Sequence, residues 1–303
     1  DEIVTLTKTK KSLLISCCKY LMRQDGSLWL EPIIRLNDEN IPKDISVATE
    51  GRCHMLSEIM EQPEYFKKVK PLKHIPQSYG EMVLFGCGSS YNAALLGRHY
   101  FELLAQEKSR VEYATELTES RLNFCGKETG FIALTQSGET KDTVAAMEPL
   151  WRKYRLLSVV TNNPKSAAST YNTSALMTLD CGPEFGVAAT KTFSAQAARL
   201  YQAAKARSNL LVEEELNDLS RVAETIVADR ETIQKLAISK VAQKENILFL
   251  GRGAMYAIAR EGALKMLEVS YKHAQAMPAS EVKHGPIALI DEKCLSIFLV
   301  SNE

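Results

Sequence analysis

The sequence predicts an α/β protein made of two tandem, doubly wound parallel-sheet subdomains, the second truncated, behind a β-rich leading segment. Three observations carry this. From residue 82 onward, short apolar runs of strand length alternate with longer segments of helical length, as in a parallel sheet covered by helices on both faces. Loops rich in Gly, Ser and Thr stand between strand and helix. The chain also aligns with itself at one offset of 165 positions, which carries residue 86 onto residue 251.

Residues 1–50 hold two β-type runs, Ile3-Val4-Thr5-Leu6-Thr7 and Leu13-Leu14-Ile15, interrupted by lysines. The chain opens on Asp1 and on strand-like residues, so a preceding segment is expected. Texture changes at Gly51. Residues 51–75 read as a connector in which His54 to Gln62 makes one or two helical turns that Pro63 stops. Residues 76–240 form the first subdomain. Val83-Leu84-Phe85 is a buried strand, Gly86-Cys87-Gly88-Ser89-Ser90 a turn, and a helix starts at Tyr91. Strands Ile132-Ala133-Leu134, Ser158-Val159-Val160 and Leu176-Met177-Thr178-Leu179 follow, with a long helix after Thr190-Lys191.

Residues 241–303 form the second subdomain. At the single offset, Gly86-Cys87-Gly88-Ser89-Ser90-Tyr91 lies over Gly251-Arg252-Gly253-Ala254-Met255-Tyr256. Ala114-Thr115-Glu116-Leu117 lies over Ala279-Ser280-Glu281-Val282, and Ile132-Ala133-Leu134 over Ile297-Phe298-Leu299. Three separated matches in one register mark a repeat. The second copy shows two strands, and about seventy further residues would complete it. A folded first half is therefore expected, with a second half that is mobile or exposes apolar surface.

Composition excludes several classes of function. The 37 basic and 37 acidic residues cancel and are mixed along the chain, with no basic stripe for nucleic acid. No apolar run approaches the roughly 18 residues of a membrane span. Seven cysteines, an odd number without CxxC spacing, read as reduced cytosolic thiols rather than a disulfide frame or zinc site.

Thr135-Gln136-Ser137-Gly138-Glu139-Thr140 lies between a strand and a helix. Unpaired N–H groups and the positive dipole end at a helix start can hold a phosphate, with Ser137 and Thr140 adding donors. The same residues also suit an ordinary N-cap. No Walker lysine follows, and Tyr91 stands where a dinucleotide fingerprint has its third glycine. Two hydroxyl-bearing loops at neighbouring strand ends suit a sugar phosphate. In the second copy Glu261, Lys265 and Glu268 stand at i, i+4 and i+7, on one helical face. A carboxylate that moves a sugar proton needs partial desolvation and a nearby cation; a solvated ion-pair face has the same spacing. His284, pinned by Gly285 and Pro286, can move protons near neutral pH or be an idle surface histidine.

From about Met55 onward these motifs resemble the isomerase half of the glutamine–fructose-6-phosphate aminotransferases, or glucosamine-6-phosphate synthases, with their phosphosugar-binding SIS subdomains. The resemblance rests on Glu58-Ile59-Met60-Glu61-Gln62-Pro63, Cys87-Gly88-Ser89-Ser90-Tyr91, Gln136-Ser137-Gly138-Glu139-Thr140 and Gly186-Val187-Ala188 with Thr190-Lys191. It extends through Leu250-Gly251-Arg252-Gly253, Glu261-Gly262-Ala263-Leu264-Lys265 and Glu281-Val282-Lys283-His284-Gly285-Pro286. Residues 1–50 are similar, weakly, to the end of the glutaminase domain.

The resemblance implies conversion of fructose 6-phosphate and glutamine-derived ammonia to glucosamine 6-phosphate. It gives Ser89, Ser90, Thr135, Gln136, Ser137, Thr140 and Val187 to the sugar phosphate. Glu268 would move the proton between C1 and C2 beside Lys265, and His284 would assist ring opening from the partner subunit of a cytoplasmic homodimer. No metal or organic cofactor is implied. Thr135 replaces a serine usual in the family, and Leu267 and Gln275 replace residues that are commonly charged. Ala189 replaces a sugar-contacting serine, and the lost hydrogen bond corresponds to an affinity change of up to about tenfold. The family's C-terminal lysine and N-terminal nucleophilic cysteine are absent from these residues, so the chain alone is expected to be inactive. A stand-alone isomerase or deglycase on another amino-sugar phosphate would not need the connector. A non-catalytic sugar-phosphate sensor would carry a helix-turn-helix arm and no Glu268.

Overall fold

The computed structural model describes residues 2–8, 13–22, 28–36, 54–72, 74–154, 156–171, 173–210 and 213–301, those before residue 37 by their backbone alone. Gly51 and Cys53 lie outside the described residues. The chain divides into two units, Asp1–His54 and Met55–Glu303. The first contains an antiparallel sheet of β1 (Glu2–Lys8), β2 (Leu13–Met22) and β3 (Leu28–Leu36), in that order. Val4 pairs with Cys17 and Ile15 with Leu36, and the register shifts between Cys17 and Cys18. β3 was not read from the sequence; it contains Pro32, and among the described residues it is an edge strand, where a missing N–H is tolerated.

The second unit starts with α1 (His54–Met60) and α2 (Gln62–Lys68). Pro63 therefore does not stop the connector helix but stands in the first turn of α2, where its missing N–H has no intrahelical partner to lose. Next come β4 (Met82–Gly86), α3 (Gly88–Leu104), β5 (Ser109–Tyr113), α4 (Glu119–Leu122), β6 (Gly130–Leu134) and α5 (Lys141–Lys153). β7 (Leu157–Thr161), β8 (Ala175–Thr178) and α6 (Lys191–Arg207) complete this layer. The sheet order is β5-β4-β6-β7-β8 and every pairing is parallel.

β4, β6 and β7 are buried along their whole length, which explains their continuous apolar runs. Met82, Leu84, Ile132 and Leu134 face α3 and α6, through Ala93, Phe101, Ala195 and Leu200. Val83, Phe85, Phe131 and Val159 face the other way, onto Leu122 of α4 and Met147 and Leu150 of α5. Each fully buried Leu, Val or Phe is worth about 1.5–3 kcal/mol, so both layers are strongly held.

α7 (Glu213–Ala228) and α8 (Arg230–Leu236) lead to β9 (Asn246–Gly251), α9 (Ala254–Ser270), β10 (His273–Pro278) and β11 (Cys294–Leu299). The order β10-β9-β11 is again parallel and repeats β5-β4-β6. The second sheet thus has three strands, not the two read from sequence. His273–Pro278 lacks β-branched residues, and its pairing with β9 overrides weak propensity; in the first sheet Ser109–Tyr113 has no apolar run, because Arg110 and Glu112 interrupt it, and its pairing with β4 makes it a strand. α9 covers the face of Ile247 and Phe249, while Leu248, Leu250, Met277 and Val282 cluster on the other. Ile287, Leu289, Phe298 and Val300 are exposed.

Candidate functional site

In an open parallel sheet of this order, the loops leaving the first and third strands in chain order diverge to opposite faces, and the crevice between them is where ligands bind. Here those loops follow β4 and β6. They are Gly86–Ser90 and Thr135–Thr140, the two hydroxyl-bearing loops of the sequence.

In the second loop, Gly138 has φ 73°, a left-handed conformation, and a Cβ there would overlap Ser166 Oγ. Thr140 occupies the N-cap position of α5 but does not cap it; its hydroxyl meets Thr135 Oγ1 at 3.0 Å. Ser137 Oγ accepts the Glu139 N–H at 3.1 Å. The first turn of α5 therefore has no side-chain cap, unlike the ordinary N-cap arrangement that the sequence left open. Thr135 is buried and also accepts the Gly138 N–H, while Gln136 accepts the Asn162 N–H through its carbonyl at 2.9 Å. Glu139 Oε1 accepts the Ala167 N–H at 2.8 Å and closes the loop onto the turn after β7.

In the first loop, Ser90 is buried and accepts Gln196 Nε2 of α6 at 2.9 Å, which leaves its own O–H to donate. Ser89 meets the second copy. Its hydroxyl donates to Glu261 Oε1 at 2.8 Å and accepts Lys265 Nζ at 3.2 Å. Lys265 in turn pairs with Glu268 Oε2 at 2.5 Å and lies 3.5 Å from Glu261 Oε1. Asn92 Nδ2 donates to Glu261 Oε2 at 2.8 Å while its carbonyl accepts Arg260 Nε at 3.1 Å. The charged face of α9 is thus docked on the first turn of α3 and is not a solvated stripe. A buried carboxylate needs this many donors, since an uncompensated one costs several kcal/mol.

The burial falls differently from the sequence chemistry. Glu261 is the desolvated carboxylate, because it lies where α9 crosses α3, whereas the Glu268 side chain about two turns on keeps 35% exposure. His284 is exposed at the end of the 3-10 turn Ala279–His284, and among the described residues no hydrogen bond ties it to Glu268 or Lys265. Val187 is fully exposed on the loop between β8 and α6. Sequence reasoning missed Asn92 and Gln196. Asn92 was findable, standing three residues after Ser89 and so on the same helical face; Gln196 had no local signal. Among the described residues, no group of three His, Cys, Asp or Glu side chains could hold a metal ion.

An open parallel sheet with uncapped, hydroxyl-bearing loops at its switch point defines a class of α/β proteins suited to binding small phosphorylated ligands. Residues 77–206 and 240–303 match the SIS domain model, and the chain belongs to the SIS domain family. It is 36% identical over 265 residues to a glutamine–fructose-6-phosphate aminotransferase (isomerizing) of Aquifex aeolicus, covering 83% of this chain and 44% of that protein. With the enzyme of the same name from Clostridium tetani it shares 35% identity over 275 residues, 82% of this chain and 45% of that protein. The chain therefore spans less than half the length of these relatives. Among solved structures it resembles the C-terminal domain of a glucosamine-fructose-6-phosphate aminotransferase from Francisella tularensis, with TM-score 0.65 and 29% identity over 84% of this chain and 78% of that one. A glucosamine-6-phosphate deaminase from Thermotoga maritima shares the fold, with TM-score 0.72 at 21% identity over 82% of this chain and 78% of that one.

Proposed function

We propose that the chain is the sugar-isomerising part of a glucosamine-6-phosphate synthase, converting fructose 6-phosphate and ammonia to glucosamine 6-phosphate and water. The observation that carries this reading is Ser89, which links the first turn of α3 at the sheet's switch point to the Glu261–Lys265–Glu268 face. The phosphate would lie against Ser90, Thr135, Gln136, Ser137 and Thr140, with Ser89 and Val187 toward the sugar. Glu268 takes the proton from C1, holds it as a carboxylic acid and returns it at C2, and the adjacent Lys265 ammonium stabilises the carboxylate before the first transfer and after the second and faces the sugar oxygens. His284 assists ring opening. Its exposure at the end of the 3-10 turn suits a histidine used by a second copy of the chain, so the working unit in this reading is a homodimer in the cytoplasm. Ammonia arrives from a glutaminase domain, of which residues 1–50 are the end; residues 51–75 are the link, 76–240 the first SIS subdomain and 241–303 part of the second.

Calorimetric titration with fructose 6-phosphate tests the proposal. Ser137→Ala is the informative variant, since among the described residues Ser137 Oγ bonds only within its own loop, whereas removing the Thr140 hydroxyl would also take one of its two partners from buried Thr135. Affinity is expected to fall about three- to tenfold, the worth of one hydrogen bond, with the melting temperature unchanged. No binding by the unsubstituted chain, or equal binding by the variant, would contradict the assignment.

A further inference from the structure

Between β8 and α6 the chain makes a loop, Gly182–Thr190, at the carboxyl edge of the first sheet, the edge that holds the two hydroxyl loops. Both its ends are tied to them. Gly182 O accepts Asn162 Nδ2 at 2.6 Å, and the Asn162 N–H donates to Gln136 O. The other end runs into α6, whose Gln196 holds Ser90. The loop is therefore joined to both hydroxyl loops, and in the phosphosugar reading it stands as a third wall of the crevice.

α1 grips this loop. Glu58 is 3% exposed, and its carboxylate accepts the N–H of Phe185 at 2.5 Å and that of Gly186 at 3.1 and 3.2 Å. The approach is so close that a Cβ on Gly186 would lie 2.6 Å from Glu58 Oε2. Around it, Glu61 pairs with buried Lys191 at 2.5 Å and Gln62 accepts Ser194 Oγ at 2.6 Å. Glu184 stiffens the loop from within by accepting the Thr190 N–H at 2.8 Å and bonding Thr192. An ionised carboxylate between backbone N–H groups is the strong form of hydrogen bond, and here it replaces water around a buried charge.

We propose that Glu58 is a positioning residue of the phosphosugar site: from α1 it sets the Gly182–Thr190 wall, and so the affinity for the sugar part of the ligand, without touching the phosphate. The inference rests on the reading of the crevice as a phosphosugar site. Glu58→Gln keeps the size of the side chain but places an NH2 against backbone donors. Amide exchange at Phe185 and Gly186 is expected to quicken about tenfold, with a comparable loss of fructose 6-phosphate affinity and unchanged affinity for inorganic phosphate. Unaltered exchange at both amides would overturn the grip. Quickened exchange with unchanged fructose 6-phosphate affinity would overturn the role in the site, as would an equal loss for inorganic phosphate, which marks general destabilisation. If the unsubstituted chain bound no fructose 6-phosphate, the reading of the site would fall and the positioning role with it, while the exchange rates still decided the grip. Gly186→Ala presses on the same carboxylate from the loop side and carries the same expectations should Glu58→Gln fail to fold.

Discussion

Ser90 accepts Gln196 Nε2, so its hydroxyl proton is aimed away from α6. Gln196→Met, which keeps the volume and removes the donor, is expected to weaken fructose 6-phosphate binding a few-fold by calorimetry and to cost about 1 kcal/mol of stability. At the other end of the site, Glu268→Gln preserves shape but abolishes the base. Deuterium exchange at C1 of bound fructose 6-phosphate should fall by about 10²-fold or more while binding persists. The thiols are informative by contrast. Burial pushes Cys181 up to about 12, against the lowering pull of the Lys191 ammonium. A raised thiol pKa means less thiolate at any pH below it. Alkylation of Cys181 by iodoacetamide should therefore keep climbing with pH beyond about 9, where a free thiol is already largely ionised and levels off. At this scale the sequence showed which residue types were available. It could not show that Glu261, not Glu268, would be the buried carboxylate, since spacing alone places both on one face.

Among the elements, the repeat is visible in packing as well as in order. Gly97 of α3 and Gly262 of α9 occupy equivalent positions, and each lies over the equivalent strand residue, Leu84 of β4 and Phe249 of β9. A Cβ on Gly97 would come within 2.6 Å of Leu200 Cδ1 and 3.1 Å of Leu84 Cδ2; on Gly262 it would meet the Phe249 ring edge at 2.8 Å. Gly97→Ala overpacks two helices and a strand together and should destabilise the chain by about 1–3 kcal/mol. Gly262→Ala should cost less, because one ring can turn aside; thermal melts of the two variants give the comparison. β4, β6 and β7 were legible because burial on both faces makes a continuous apolar run. β5 and β10 were not: charged Arg110 and Glu112 break any apolar run in β5, an edge strand, and β10 owes its strand character to pairing with β9.

Over the whole chain the two copies divide the work. Where the first has Ser89 and Ser90, the second has Ala254 and Met255; where the second has Glu261, Lys265 and Glu268, the first has Leu96, Tyr100 and Leu103. One copy supplies hydroxyls at a loop and the other charges on a helix, and α3 packed on α9 brings them together through Ser89. The second sheet is the smaller, with three strands against five, and leaves Phe298 exposed on β11. Its amides should be less protected. Exchange at β11 is expected to be at least about tenfold faster than at β4, and equal rates would contradict a weaker second core.

The α/β class, the repeat and the two hydroxyl loops were determined by the sequence alone, because each is written in a local period or a fixed offset that burial makes obligatory. The docking of α9 on α3, the Asn92 and Gln196 contacts and the grip of Glu58 on the Gly182–Thr190 loop were decided only in three dimensions. Glu58 and Gly186 are separated by more than a hundred residues, and no local propensity records a hydrogen bond across that distance. A buried carboxylate finds its donors only when the chain has folded around it.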